Sequence, residues 1–232
     1  CKNRMWYGMG HLSVFQTYSY RHSHGNVALG LPVILDIQTS DDRVRRRRHT
    51  FLHPIVLPSL SSTYEWNIYH TLNSRASYEQ QVGDLNNLFQ GYVMENYREV
   101  VRSQMDKLLS RRSVNLSTSY RYSNALQQLH FNANVSYGYT WLNQMESVIY
   151  DGIYCNSVFQ DLSNTSSSLS AGMGLTKNFS WLRRYLKMNA GYSLNSYQRL
   201  IDGAMMDYRR HSGNLNVSGA FTPIGWMTVV MG

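Results

Sequence analysis

His22 and His24 stand one residue apart in the segment RHSHGN. Two imidazoles at that spacing could share a transition metal, but a zinc site takes at least three protein ligands. Without a third ligand the pair reads as a polar turn. Cys1 and Cys155 are the only cysteines, too few for a disulfide framework or a paired-cysteine metal site. One disulfide between them stays open. Cys1 also raises a lipidated N-terminal cysteine, against which stands an extended pattern that begins almost at once. Asp41 and Asp42 adjoin an arginine run and read as its ion-pair partners rather than as a catalytic acid pair. Zincin, nucleophile-elbow, P-loop and paired-cysteine zinc motifs are absent from the sequence. The expectation is a protein that is not an enzyme and uses no cofactor or metal.

Two groups of residues are candidates for binding. Arg45, Arg46, Arg47 and Arg48 could meet lipid headgroup or lipopolysaccharide phosphates, if their segment faces a membrane surface. Tyr92, Tyr97 and Arg98 could contact a ligand or a plug, because tyrosine and arginine make good binding anchors. The net charge is +8, which raises nucleic-acid binding as a class. The basic residues gather in connecting segments with no helical recognition pattern beside them, so nucleic acid is not an expected partner.

The elements that must position these residues alternate with period two. In residues 113–141, Val114, Leu116, Thr118, Tyr120 and Tyr122 share one parity, with Asn115, Ser117, Ser119 and Arg121 on the other. After a turn the pattern resumes: Phe131, Ala133, Val135, Tyr137, Tyr139 and Trp141 alternate with Asn132, Asn134, Ser136, Gly138 and Thr140. Successive strand side chains point to opposite faces, so this is a β-hairpin with one apolar and one small, polar face. Similar segments at 5–20, 27–37, 51–64, 68–78, 166–177, 185–197, 208–222 and 226–232 bring the expected total to about ten strands. The sequence predicts a parity slip near His11 and Leu12, as at a β-bulge, and Pro32 interrupts an otherwise regular strand. Segments 38–50, 79–112, 142–164 and 198–207 are expected as long loops, and 100–109 as a short helix.

Short and long connections alternating along long strands describe an outer-membrane barrel. Trp66, Trp181 and Trp226 then fall at the short-turn end, where an aromatic girdle belongs, and Tyr139, Trp141 and Tyr197 at the opposite rim. Mean hydropathy is only −0.40, but barrels hide from hydropathy because alternate residues avoid lipid. No apolar run is long enough for a transmembrane helix. A soluble β-sandwich used for binding or surface adhesion produces the same alternation and is the second expectation. The Asn-x-Ser triplets at Asn115, Asn134, Asn164, Asn178 and Asn216 read as a wet strand face rather than as glycosylation sites.

The block DLNNLFQGYVMENYR at 84–98 resembles the outer-membrane β-barrel of TonB-dependent receptor-like proteins of the Bacteroidetes. So do YRYSNALQQLHFNANVSYGYTW, VALGLPVILDIQTSDD, IVLPSLSSTYEW and FTPIGWMTV. That resemblance implies an antiparallel up-and-down transmembrane β-barrel, of which residues 1–232 are a segment of about ten strands from a larger barrel of about 22. It further implies location in the cell outer membrane, contact with its lipid, and a role in the wall of a ligand receptor or transporter. The expected partners in the rest of such a protein are a plug domain and the TonB energy-coupling system.

Overall fold

The computed structural model describes residues 5–42, 47–83, 92–96, 99–103, 109–151, 154–179, 184–201, 203–224 and 227–231. Side chains are described at fewer positions still. Every element in them is a β-strand.

The chain begins with β1 (Met5–Val14), β2 (Thr17–His22), β3 (Gly25–Gly30), β4 (Val33–Asp42), β5 (Arg47–Val56), β6 (Ser59–Asn67) and β7 (His70–Val82). A side hairpin follows, β8 (Tyr92–Asn96) and β9 (Glu99–Ser103), before β10 (Ser110–Asn124) and β11 (Leu129–Leu142). A second side hairpin, β12 (Met145–Asp151) and β13 (Tyr154–Gln160), precedes β14 (Asn164–Phe179), β15 (Arg184–Ile201), β16 (Ala204–Ile224) and β17 (Met227–Met231). The main path is an antiparallel meander in which β7, β10, β11, β14, β15, β16 and β17 pair successively.

At the start of the chain, β1–β2, β3–β4 and β5–β6 are three long strands, each interrupted by two residues. The interruptions are Phe15–Gln16, Leu31–Pro32 and Leu57–Pro58. Val14 opposite Val33 and Thr17 opposite Gly30 keep a single register across the first break. Three hydrogen bonds carry the ladder through: Leu31 N–H to Gln16 O (2.8 Å), Leu57 N–H to Pro32 O (3.0 Å) and Tyr78 N–H to Pro58 O (2.9 Å). Proline has no N–H to donate, so the ladder is thinnest here and the sheet divides. β2, β3 and β6 stay with the main sheet, while β1, β4 and β5 form a separate three-stranded sheet. Pro54 lies in β5, at an edge of that small sheet, where a missing donor is tolerated. The parity slip expected at His11 and Leu12 is absent: His11 faces Asp36 and Leu12 faces Leu35 without a shift. The interruption comes three residues later, opposite Pro32.

Several loop expectations need correction. β4 runs to Asp42 and β5 starts at Arg47, so most of 38–50 is strand, with Asp42 opposite Arg47 and Asp41 opposite Arg48. β15 and β16 meet around Gly203, whose φ of +78° suits a residue without a Cβ, so 198–207 is a tight hairpin. Residues 142–164 contain β12 and β13. The helix expected at 100–109 is replaced over Glu99–Ser103 by β9; its Val100 and Val101 are β-branched residues that favour a strand. The two side hairpins pair with each other through the parallel contact of β9 with β13, and β12 runs parallel beside β15 at Ser147–Leu200 and Val148–Ile201. These parallel pairs are the exception to an otherwise antiparallel fold, and long loops had hidden them.

Register carries the alternation from strand to strand. Residues directly opposite in an antiparallel ladder share a face. Val27, Ser62, Ser74, Thr118, Val135, Ala171, Tyr192 and Gly213 form one such row across eight strands. Around that row the same face carries Leu29, Leu60, Leu72, Leu116, Tyr137, Leu169, Met173, Met188, Leu215 and Val217. The apolar parity of every described main strand therefore falls on one side. No layer covers it among the described residues, of which the buried apolar ones are Ile55, Met145 and Leu200, whereas Val135 is 51% exposed and Leu215 71%. The accessible surface is 16402 Å², against about 10,800 Å² for a compact monomer of this mass.

Candidate functional site

The opposite face of the same sheet holds the polar side chains. Its central row is Ser117, Ser136, Ser170, Ser193 and Ser212, directly opposite one another across β10, β11, β14, β15 and β16. Arg75 and Ser61 continue the row onto β7 and β6. The hydroxyls pair: Ser136 Oγ lies 2.7 Å from Ser170 Oγ, and Ser193 Oγ 2.8 Å from Ser212 Oγ.

Next to the serine row, asparagines lie over glycines. Asn134 is opposite Gly172, Asn132 opposite Gly174, Asn214 opposite Gly191 and Asn115 opposite Gly138. A Cβ added at Gly172 would stand 2.8 Å from Asn134 Oδ1, and one at Gly174 2.6 Å from Asn132 Oδ1. These glycines leave the space that the neighbouring amides occupy. The result is a low surface of hydroxyls and amides with shallow hollows. One of about 400 Å³ lies beside Arg121, His130 and Asn132, and one of about 270 Å³ beside Arg75 and Ser117. Asn134 borders both.

Charge on this face is one-sided. Arg75, Arg111, Arg121, Lys187, Arg199 and Arg210 share its parity on β7, β10, β15 and β16, with Glu79 as the acid among those strands. No ion pair joins Arg75, Arg121, Lys187 or Arg210 to an acid among the described residues. Such a surface can donate hydrogen bonds to hydroxyl-rich or anionic solutes. Ser123 Oγ lies 2.9 Å from His130 Nδ1, the geometry of a nucleophile and its base. That activation also needs a group to orient the imidazole, and no carboxylate bonds His130 among the described residues.

The aromatic residues expected to form rims separate. Trp66 sits at the short-turn end, with Tyr64 edge-on at 5.2 Å and Tyr120 at 6.3 Å between ring centroids. Tyr139 and Trp141 contact at 4.4 Å at the other end of the apolar face. Tyr197 is a correction. It is opposite Ser166 and Tyr208, hence on the polar face, and stacks on Tyr208 at 5.5 Å and 12°. Its odd position in a strand whose even positions are apolar was the signal. Trp181, Trp226, Tyr97, Arg98, Arg45 and Arg46 lie outside the described residues. Tyr92 opens β8, and Arg47 and Arg48 open β5; their side chains are outside the described part. The binding residues proposed from sequence are therefore not brought together by anything described.

Sequence reasoning missed one cluster altogether. His11, Asp36 and His53 form a row across β1, β4 and β5, on the polar face of the small sheet. Gln38, two residues along β4, donates Nε2–H to Asp36 Oδ2 (2.8 Å) and to Gly83 O of the main sheet (3.4 Å). Only the register assembles residues so far apart in sequence. Comparison with known proteins finds no family model and no curated protein that matches the chain.

Proposed function

We propose that this chain is part of the wall of an outer-membrane β-barrel, with its apolar face toward lipid and its serine–asparagine–glycine face toward a water-filled lumen. The observation that carries this reading is the single uncovered apolar face that runs through register across the main sheet. A soluble sandwich would bury that face against a second layer. On β11 the face extends from Phe131 to Trp141. At about 3.4 Å per residue the span is ~34 Å, and a tilt of about 45° lowers its height to ~24 Å, matching the apolar band of about 25 Å in outer-membrane barrels. Aromatic pairs stand near both ends of the band, Tyr64–Trp66 at one and Tyr139–Trp141 at the other, as an interfacial belt requires.

Lipid does not tolerate unpaired strand edges. Among the described residues β2 pairs only with β3, and β17 only with β16, so this reading needs those edges to be closed by further strands. The resemblance of the blocks at 84–98 and 120–141 to TonB-dependent receptor-like barrels favours a receptor or transporter wall, with the cationic polar face selecting anionic or hydroxyl-rich solutes. Outer-membrane lipid, a plug and the energy-coupling system are the partners that follow. The test is extraction of the intact parent chain from outer membranes. Release by detergent alone, with gel mobility that shifts on boiling, supports the reading. Release by salt or buffer, with unshifted mobility, overturns it in favour of the soluble binding module.

A further inference from the structure

Where the small sheet meets the top of the main sheet, a cavity of about 480 Å³ opens between β4, β7 and β10. Asp36 and Gln38 of β4, Gln81 of β7, Arg111 of β10 and His11 of β1 line it. Asp36 is 5% exposed and Gln38 2%. Each carries a buried oxygen that accepts no hydrogen bond among the described residues, Asp36 Oδ1 and Gln38 Oε1. His11 Nδ1 lies 3.1 Å from Asp36 Oδ1, within ion-pair range, without directing a hydrogen bond at it. A buried acceptor left unmet costs about 1–3 kcal/mol, so two lining one cavity mark a place built for a donor. A charged donor suits a carboxylate best.

Arg111 lines the same cavity yet forms no ion pair with Asp36 among the described residues. An acid and a base thus border one space without neutralising each other. A bare organic cation would face Arg111, and a bare anion would face Asp36. We infer that this cavity is a binding site for a small zwitterion of the amino-acid type, whose ammonium donates to Asp36 Oδ1 and Gln38 Oε1 and whose carboxylate is held by Arg111. Its lining shares no residue with the hollows along the serine row, and it does not depend on the membrane reading.

The test uses the full chain, purified in detergent or buffer according to how it partitions, and titration calorimetry with three probes: L-leucine, N-acetyl-L-leucine and L-leucine methyl ester. Saturable binding of L-leucine, at least tenfold weaker for each blocked derivative, is the expected result. Asp36→Asn should weaken L-leucine at least tenfold. Arg111→Gln should do the same and also abolish the penalty for the methyl ester. Arg111 is exposed, so its variant folds even where the buried Asp36→Asn is compromised. No saturable binding of L-leucine, or equal binding of all three probes, overturns the inference and leaves water as the occupant.

Discussion

The main sheet and the small sheet at its start follow the same alternation and end differently. Across β7, β10, β11, β14, β15 and β16 each strand pairs with its neighbours in unbroken register, and the apolar side stays open. In β1, β4 and β5 the register also continues, yet the sheet parts from the rest at Pro32 and Pro58 and turns its polar side inward. There Asp36, Gln38 and Ile55 become buried, whereas the buried side chains described on the main sheet, Ser113, Asn124 and Leu200 with Met145 and Ser147 of β12, lie near strand ends or on the side hairpin. Alternation thus decides which residues share a face. What that face meets is decided by where ladder donors are missing and by what lies on the far side.

The strongest way to break this contrast is a charge in the middle of the open face. If the open face meets lipid as proposed, Leu169→Arg or Val135→Arg should lower the stability of the protein in bilayers by about 2–4 kcal/mol. The neighbouring Ser170→Arg on the polar face should cost less than about 1 kcal/mol. Urea unfolding from bilayers measures all three, and equal losses on the two faces would dissolve the distinction.

Within the polar face the asparagine–glycine fit is the next target. A Cβ at Gly191 would stand within van der Waals overlap of Asn214 Oδ1. Gly191→Val is expected to cost about 1–3 kcal/mol through overpacking, while Gly10→Val, where a Cβ meets nothing within 4 Å, should not. Unfolding midpoints of the two variants decide it, and equal values would mean the fit is loose.

How much of this was legible in the sequence depended on what each residue reports. Period-two runs such as 114–122 and 131–141 declare strand and face together, so the long strands from 113 onward could be read with their apolar sides, while in the first strand the parity slip expected at His11 and Leu12 does not occur. Loops could not. Residues 145–160 lack a sustained run because β12 and β13 are only seven residues each, with β15 and β9 as parallel outer neighbours. At 198–207 the polar residues Gln198, Arg199 and Asp207 continue the strands past the apolar band, and polarity alone resembled a loop. The polar row of His11, Asp36 and His53 was illegible for a different reason. Its members are 25 and 17 residues apart, and only the cross-strand register assembles them.

Smaller effects sharpen the same comparison. His70 Nδ1 and Tyr120 Oη lie 2.6 Å apart on the apolar side near the short turns. Tyr120→Phe should cost about 0.5–1.5 kcal/mol, read from the unfolding midpoint. At the crease, Pro32→Val restores a backbone donor. It should leave global stability within about 0.5 kcal/mol and slow hydrogen exchange at the Leu31 and Leu57 amides, which already bond across the break. Faster exchange there would show that proline is not what thins the ladder.

The most direct test of the two-faced wall is a label scan along β11 in bilayers. A spin label at each position from 131 to 138 of the parent chain reports accessibility to oxygen, which concentrates in lipid, and to a water-soluble nickel complex. The expected pattern has a period of two: oxygen-accessible at Phe131, Ala133, Val135 and Tyr137, and nickel-accessible at Asn132, Asn134, Ser136 and Gly138. Nickel access at both parities, or protection of the odd positions from both reagents, would contradict a lipid-facing side and return the sheet to a soluble, two-layered fold.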